Sequence, residues 1–155
     1  MKSVCSAIKK EAEKVYDDNK KTLIYAGGIV LAGIGLYASY KAVKSGFQAA
    51  ILAPTAILAS QHLESFQGIL DELGIRSALL ISSVTKKKKT EILEKLQNGE
   101  IDVLIGTHAI LEENVIFKNL GLVVTDEQHR FGVKQRSTIA SKSQNPDVIA
   151  MSATP

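Results

Sequence analysis

Cysteine is nearly absent: Cys5 stands alone among 155 residues, which excludes an internal disulfide and any zinc site built on cysteines, and fits a reducing cytoplasm. A large charge of either sign is also missing. The formal net charge of +3 and the pI near 8.9 are compatible with a polyanionic partner without demanding one. Nowhere does the chain carry G-x-x-x-x-G-K-[ST], the loop whose amides and lysine cradle nucleotide phosphates. His108 has no second His or Cys at ligand spacing, so a metal role is not expected there. With 45% hydrophobic and 23% charged residues, the composition is that of an ordinary globular protein with room for one domain, and disorder of the whole chain is excluded.

The charge that is present is unevenly placed. Residues 1–21 are rich in Lys, Glu and Asp around Val4, Ile8, Ala12 and Val15, whose spacing predicts an exposed amphipathic helix. Residues 23–40 then carry no charge at all and are closed by Lys41 and Lys44. A spanning helix needs ~20 apolar residues. This run approaches that length, has tyrosines near its ends as at a membrane interface, and spaces Gly28 with Ala32 and Gly35 with Ser39 as close-packing membrane helices do. It is too long and too far from the terminus for a typical signal peptide. Two expectations therefore stand side by side: one continuous helix of membrane type over residues 23–40, or a buried strand at residues 23–25 followed by a turn at Gly27-Gly28.

Beyond Gly46 the pattern alternates strand and helix. Residues 47–53 read as a buried strand broken by Pro54. Residues 56–73 read as a helix with Leu58, Phe66, Ile69, Leu70 and Leu73 on one side and Gly74 as its stop. A strand follows at 77–81. Thr85 then caps a helix carrying Ile92, Leu93 and Leu96, which Asn98-Gly99 ends. Further strands are expected at 101–105, 120–125 and 147–151, with a short helix near 133–140. Such alternation implies right-handed crossovers and a parallel sheet flanked by helices. At residues 120–132 an apolar run, aliphatic on both faces, stops on adjacent carboxylates, Asp126 and Glu127. At the carboxyl edge of a parallel strand this pair suits a division of labour, one carboxylate holding Mg²⁺ through water and the other orienting an attacking water. A solvated acidic turn would account for the pair alone. Lys86 to Lys89 form a basic run at a helix start, for which a solvated helix face is the simpler expectation, because positive charge there opposes the helix dipole.

The phrase Asp126-Glu127-Gln128-His129-Arg130-Phe131-Gly132 resembles motif II of the RecG family, ATP-dependent DNA helicases of superfamily two that remodel branched DNA. The likeness extends over residues 42–155. Ala53-Pro54-Thr55 resembles motif Ia, with Ala56 where the family usually has Glu. Ser82-Ser83 stands where the family tends to have Gly-Ser, Gly106-Thr107-His108 resembles motif Ib, and Ser152-Ala153-Thr154 resembles motif III.

What the resemblance implies is a RecA-like domain of the phosphate-loop NTPase type over residues 46–155, using ATP and Mg²⁺ and binding branched DNA. Residues 1–45 form the preceding helical segment. By the same resemblance Asp126 and Glu127 are catalytic, with Asp126 on Mg²⁺ through water and Glu127 on the attacking water. Gln128, His129, Arg130, Ser152 and Thr154 couple the nucleotide to DNA, and Pro54, Thr55, Ser83, Gly106, Thr107 and His108 contact the nucleic-acid strand. The family's Lys-Thr loop would fall near residues 28–32, where this chain has Gly-Ile-Val-Leu-Ala. The expectation is a first motor domain that stops after motif III, lacks the second motor domain and is inactive alone. A non-catalytic DNA-binding module, a membrane-tethered module and a gene remnant are the rival classes. The expected location is cytoplasmic, with a membrane anchor if residues 23–40 span.

Overall fold

The computed structural model describes residues 27–126, 133–144 and 146–151. Within them a five-stranded parallel sheet lies between two layers of helix. In chain order the elements are α1 (Gly27–Lys44), β1 (Gln48–Leu52), α2 (Ala56–Glu72), β2 (Ser77–Leu80), α3 (Lys86–Gln97), β3 (Val103–Gly106), a 3-10 turn at His108–Leu111, β4 (Leu120–Asp126), α4 (Val133–Ser141) and β5 (Asp147–Met151). The strand order across the sheet is β2-β3-β1-β4-β5, with every pairing parallel.

β1 is central and buried along its whole length, which is why its sequence, Gln-Ala-Ala-Ile-Leu, is apolar on both faces after its first residue. Ala49, Ile51 and Ala53 join Leu122, Val124, Val103 and Ile105 in a core beneath α1 and α2. Ala50 and Leu52 join Leu104 and Val123 in a second core beneath α3, the 3-10 turn and α4, with Ile92, Leu96, Ile110 and Ile139 on top. A leucine or isoleucine fully buried in this way contributes ~1.5–3 kcal/mol, so each helix is held mainly by the sheet.

Local signals start and stop the elements where the sequence places them. The Thr55 backbone is extended and its Oγ1 accepts from Leu58 N at 3.2 Å, capping α2; Thr85 does the same for α3 through Lys88 N. Gly74 and Gly99 follow those helices at φ of 69° and 77°, where a side chain would be strained.

The membrane-type expectation for residues 23–40 is corrected. Helix runs unbroken from Gly27 through Lys44, which removes the alternative turn at Gly27-Gly28. Among the described residues no helix is long and apolar enough to cross a membrane. α1 instead packs over β1 and β4. Leu36 and Ser39 are buried, and Ser39 Oγ donates to Gly35 O at 2.7 Å. Lys41 and Lys44 lie 5.8 and 5.7 Å from the ring centres of Tyr37 and Tyr40, and Tyr25 lies outside the described residues. The expected amphipathic helix at 1–21 and the strand at 23–25 lie outside the described residues.

Candidate functional site

The chain leaves β1 toward β2 and β3 but leaves β4 toward β5, so the connections diverge between β1 and β4. In open parallel sheets a crevice forms at the carboxyl edge of such a pair, and ligands bind there. The register pairs Leu52 with Thr125, so Ala53 and Asp126 are the next residues on the two strands and Pro54-Thr55 begins beside the carboxylate's backbone. Asp126 is also paired with Met151, the last residue of β5. The motif residues after β1, β2, β3 and β4 therefore share one edge of the sheet.

Their surroundings differ in ways that bear on what each can do. Thr55 is exposed, and because its oxygen accepts from Leu58 N, its own O–H remains to donate outward. Ser82, Ser83 and His108 are exposed, while Pro54 and Thr107 are half-buried. Thr107 N donates to Leu80 O at 3.4 Å, and among the described residues no side-chain bond engages the Thr107 hydroxyl. Gly106 is buried, and a Cβ added there would run into the Leu80 carbonyl. Its smallness serves the approach of β2 to β3, a packing reason that sequence reading did not separate from phosphate contact. Glu127, Gln128, His129, Arg130, Ser152 and Thr154 lie outside the described residues. Among the described residues no group of His, Cys, Asp and Glu could hold a metal ion.

Three features escaped the sequence. The 3-10 turn at His108–Leu111 aligns His108 at its start, directly after β3. Ile57 stands 72% exposed beside Thr55, an apolar contact on an otherwise polar edge. Thr125, next to Asp126, is 1% exposed, and among the described residues its hydroxyl has no hydrogen-bond partner. A hydroxyl interrupting an apolar strand was the available signal, but its isolation depends on Leu52 and Ala150 from distant parts of the chain.

The nucleotide expectation meets a poor fit. Residues 28–32 lie inside α1, and Gly-Ile-Val-Leu-Ala offers neither an ammonium for phosphate nor a hydroxyl for Mg²⁺. A cavity of about 1010 Å³ does exist, but it opens at the opposite, amino-terminal edge and contains none of the motif residues. Part of its polar lining is already engaged: Lys142 Nζ donates to Glu112 O and Val115 O at 2.6 and 2.8 Å, and Asn119 Nδ2 donates to Gly46 O at 3.0 Å. Burial pulls the Lys142 ammonium below its ordinary pKa, against the opposing pull of Glu113 and Glu112. Connectivity, not cavity size, identifies the carboxyl edge as the candidate site.

The sequence and the fold are similar to those of known proteins. A DEAD/DEAH box helicase family model matches residues 21–155. The ATP-dependent DNA helicase RecG of Bacillus subtilis (strain 168) is 50% identical over 130 residues, covering 84% of this chain and 19% of that protein. RecG of Thermotoga maritima is 48% identical over the same length, covering 84% and 16%. A solved structure of RecG bound to a three-way DNA junction superposes with a TM-score of 0.65 at 44% identity, over 83% of this chain and 16% of that one. The helicase Lhr of Mycobacterium smegmatis, at 14% identity and a TM-score of 0.63, shares the fold alone. The chain thus spans about a fifth of the length of the curated relatives it matches. With its parallel sheet, its motif order and these likenesses in agreement, the chain belongs to the DEAD/DEAH box helicase family and is a RecG homologue over part of the superfamily-two motor domain.

Proposed function

We propose that this chain is a RecG-like motor-domain segment that engages branched DNA along the carboxyl edge of its sheet and does not turn over ATP by itself. The observation that carries the reading is the placement of the loops after β2, β3 and β1 in one row ending at Asp126 on β4. Thr55, Ser83, Thr107 and His108 then supply hydroxyl and ring donors to the strand's phosphates, contacts that position DNA without reading its sequence. Pro54 and Gly106 shape the turns that carry them. Asp126 and Glu127 keep the family's roles toward Mg²⁺ and water only where a complete nucleotide site is present. Gln128, His129, Arg130, Ser152 and Thr154 are the coupling residues of the same reading.

Inactivity alone follows from residues 28–32. Phosphoryl transfer depends on positioning and charge stabilisation, in these NTPases through loop amides, a lysine and a Mg²⁺-binding hydroxyl. Leu31 and Ala32 occupy the places of the last two. The test is phosphate release by the purified chain with and without three-way junction DNA. The expected result is junction binding with no release above background; DNA-stimulated release abolished by Glu127→Gln would overturn the inactive reading.

A further inference from the structure

The row of loops does not end at the family motifs. We propose that the strand track continues onto the start of α3, where Lys86, Lys87 and Lys88 take up the backbone phosphates of a nucleic-acid strand; this rests on the reading above that the carboxyl edge carries DNA. α3 follows β2 after five residues, so it starts at the same edge as Ser83, the edge at which Thr107 and His108 follow β3 and Thr55 follows β1. Neighbouring strands are ~4.8 Å apart, so the loops after β2 and β1 are separated by ~10 Å, about the rise of three nucleotides on one strand of B-DNA.

The charges on α3 are sorted in a telling way. Lys89 is paired with Glu112, and Lys95 with Glu91 at 2.7 Å. That leaves Lys86, Lys87 and Lys88 exposed and, among the described residues, without an ion-pair partner. Glu91, the acid one turn away, is already committed: the hydrogen bond from Lys95 holds its carboxyl below the usual range, with Lys88 and Lys87 adding a weaker pull. Positive charge in a first turn also opposes the helix dipole. Beyond the weak pull of Lys87 and Lys88 on Glu91, the three ammoniums therefore sit where the isolated fold gains little from them and where a polyanion along the edge would gain more.

The test is the salt dependence of binding to a labelled mixed-sequence single-stranded DNA oligonucleotide by the full chain, wild type against Lys86→Gln/Lys87→Gln/Lys88→Gln. Each phosphate contact on a single strand contributes ~0.7 to the slope of log affinity against log salt. The triple variant is expected to lower that slope by about 2, with a melting temperature equal to or above that of the wild type. Lys95→Gln, on the same helix but bound to Glu91, is expected to leave the slope unchanged. Lys87→Gln alone, expected to lower the slope by ~0.7, serves if the triple variant does not fold. A slope within half a unit of wild type in the variants overturns the extension while leaving the DNA-binding edge intact. A wild-type chain with no salt-dependent binding overturns both.

Discussion

At the amino-terminal edge of the sheet, strand beginnings from β2 to β4 are tied to their neighbours by side-chain hydrogen bonds, whereas at the carboxyl edge Ser83, Lys87, Thr107 and His108 have none among the described residues. Arg76 donates from its backbone N, Nε and Nη2 to Asp102 at 2.9 to 3.1 Å, joining β2 to β3. Gln48 Nε2 donates to Leu96 O and Ile101 O at 2.9 and 2.7 Å, and Asn119 N donates to Gln48 Oε1 at 2.9 Å, joining β3 to β1 and β1 to β4. From β2 to β4 these bonds saturate Gln48 and Asp102 and fix the fold. The carboxyl edge is left open to form bonds with something outside the chain. The contrast teaches that in this molecule polar residues with full sets of partners are structural, and that function is to be sought among those without.

The strongest way to break the comparison is at Gln48, 5% exposed with both ends of its amide bonded. Gln48→Ala would leave the Ile101 carbonyl and the Asn119 backbone N–H without their partner, each costing ~1–3 kcal/mol if water does not reach it, while Leu96 O keeps its bond from Gly99 N. We expect a loss of about 3 kcal/mol in urea unfolding, with the midpoint shifted and the slope unchanged. A loss below ~1 kcal/mol would mean that the amino-terminal edge is not the clamp described.

Asp102 sharpens it further. Burial pushes its carboxyl pKa up, but the hydrogen bonds and charge of Arg76 outweigh burial and hold it below the ordinary value. A carboxylate depressed in the fold adds stability that is fully present above its unfolded pKa of ~3.9 and is lost as pH falls through the folded value. Arg76 is more than half exposed, so the pair is discounted to about 1 kcal/mol. Asp102→Asn should cost that much at neutral pH and flatten the decline of stability in acid below pH ~4; unfolding midpoints of the two proteins that run parallel from neutral into acid would refute the pairing.

The smallest expected effect lies at the carboxyl edge. Thr125→Val replaces a buried hydroxyl that has no partner among the described residues by a methyl group of similar shape. Since nothing bonded is lost, stability should stay within ~0.5 kcal/mol or rise. A loss above 1 kcal/mol on thermal unfolding would show that the hydroxyl is bonded in solution and belongs with the saturated set.

How far these two edges could be read in the sequence follows from the range of the interactions involved. Strands and helices were legible because their signals are local: Thr85 caps, Gly74 and Gly99 stop, and β1 and β4 are apolar on both faces. The parallel sheet and the carboxyl-edge row followed from alternation alone. The amino-terminal web was invisible, because Gln48 reaches partners 48, 53 and 71 positions away. Residues 28–32 were ambiguous for another reason. A glycine-rich apolar run suits a strand and turn, a membrane helix or a buried helix equally well, and the unbroken helix Gly27–Lys44 excludes the turn at Gly27-Gly28. Thr125 shows the same limit, since a hydroxyl's lack of a partner belongs to its neighbours.

The central claim, that the open edge carries DNA and the amino-terminal edge does not, is tested most directly by amide hydrogen exchange of the full chain with and without three-way junction DNA. Protection is predicted in the segments around Thr55, Ser83 to Lys88 and Thr107-His108, with no change around Gln48, Asp102 and Asn119. Protection confined to the amino-terminal edge, or exchange unaltered throughout by saturating DNA, would contradict it.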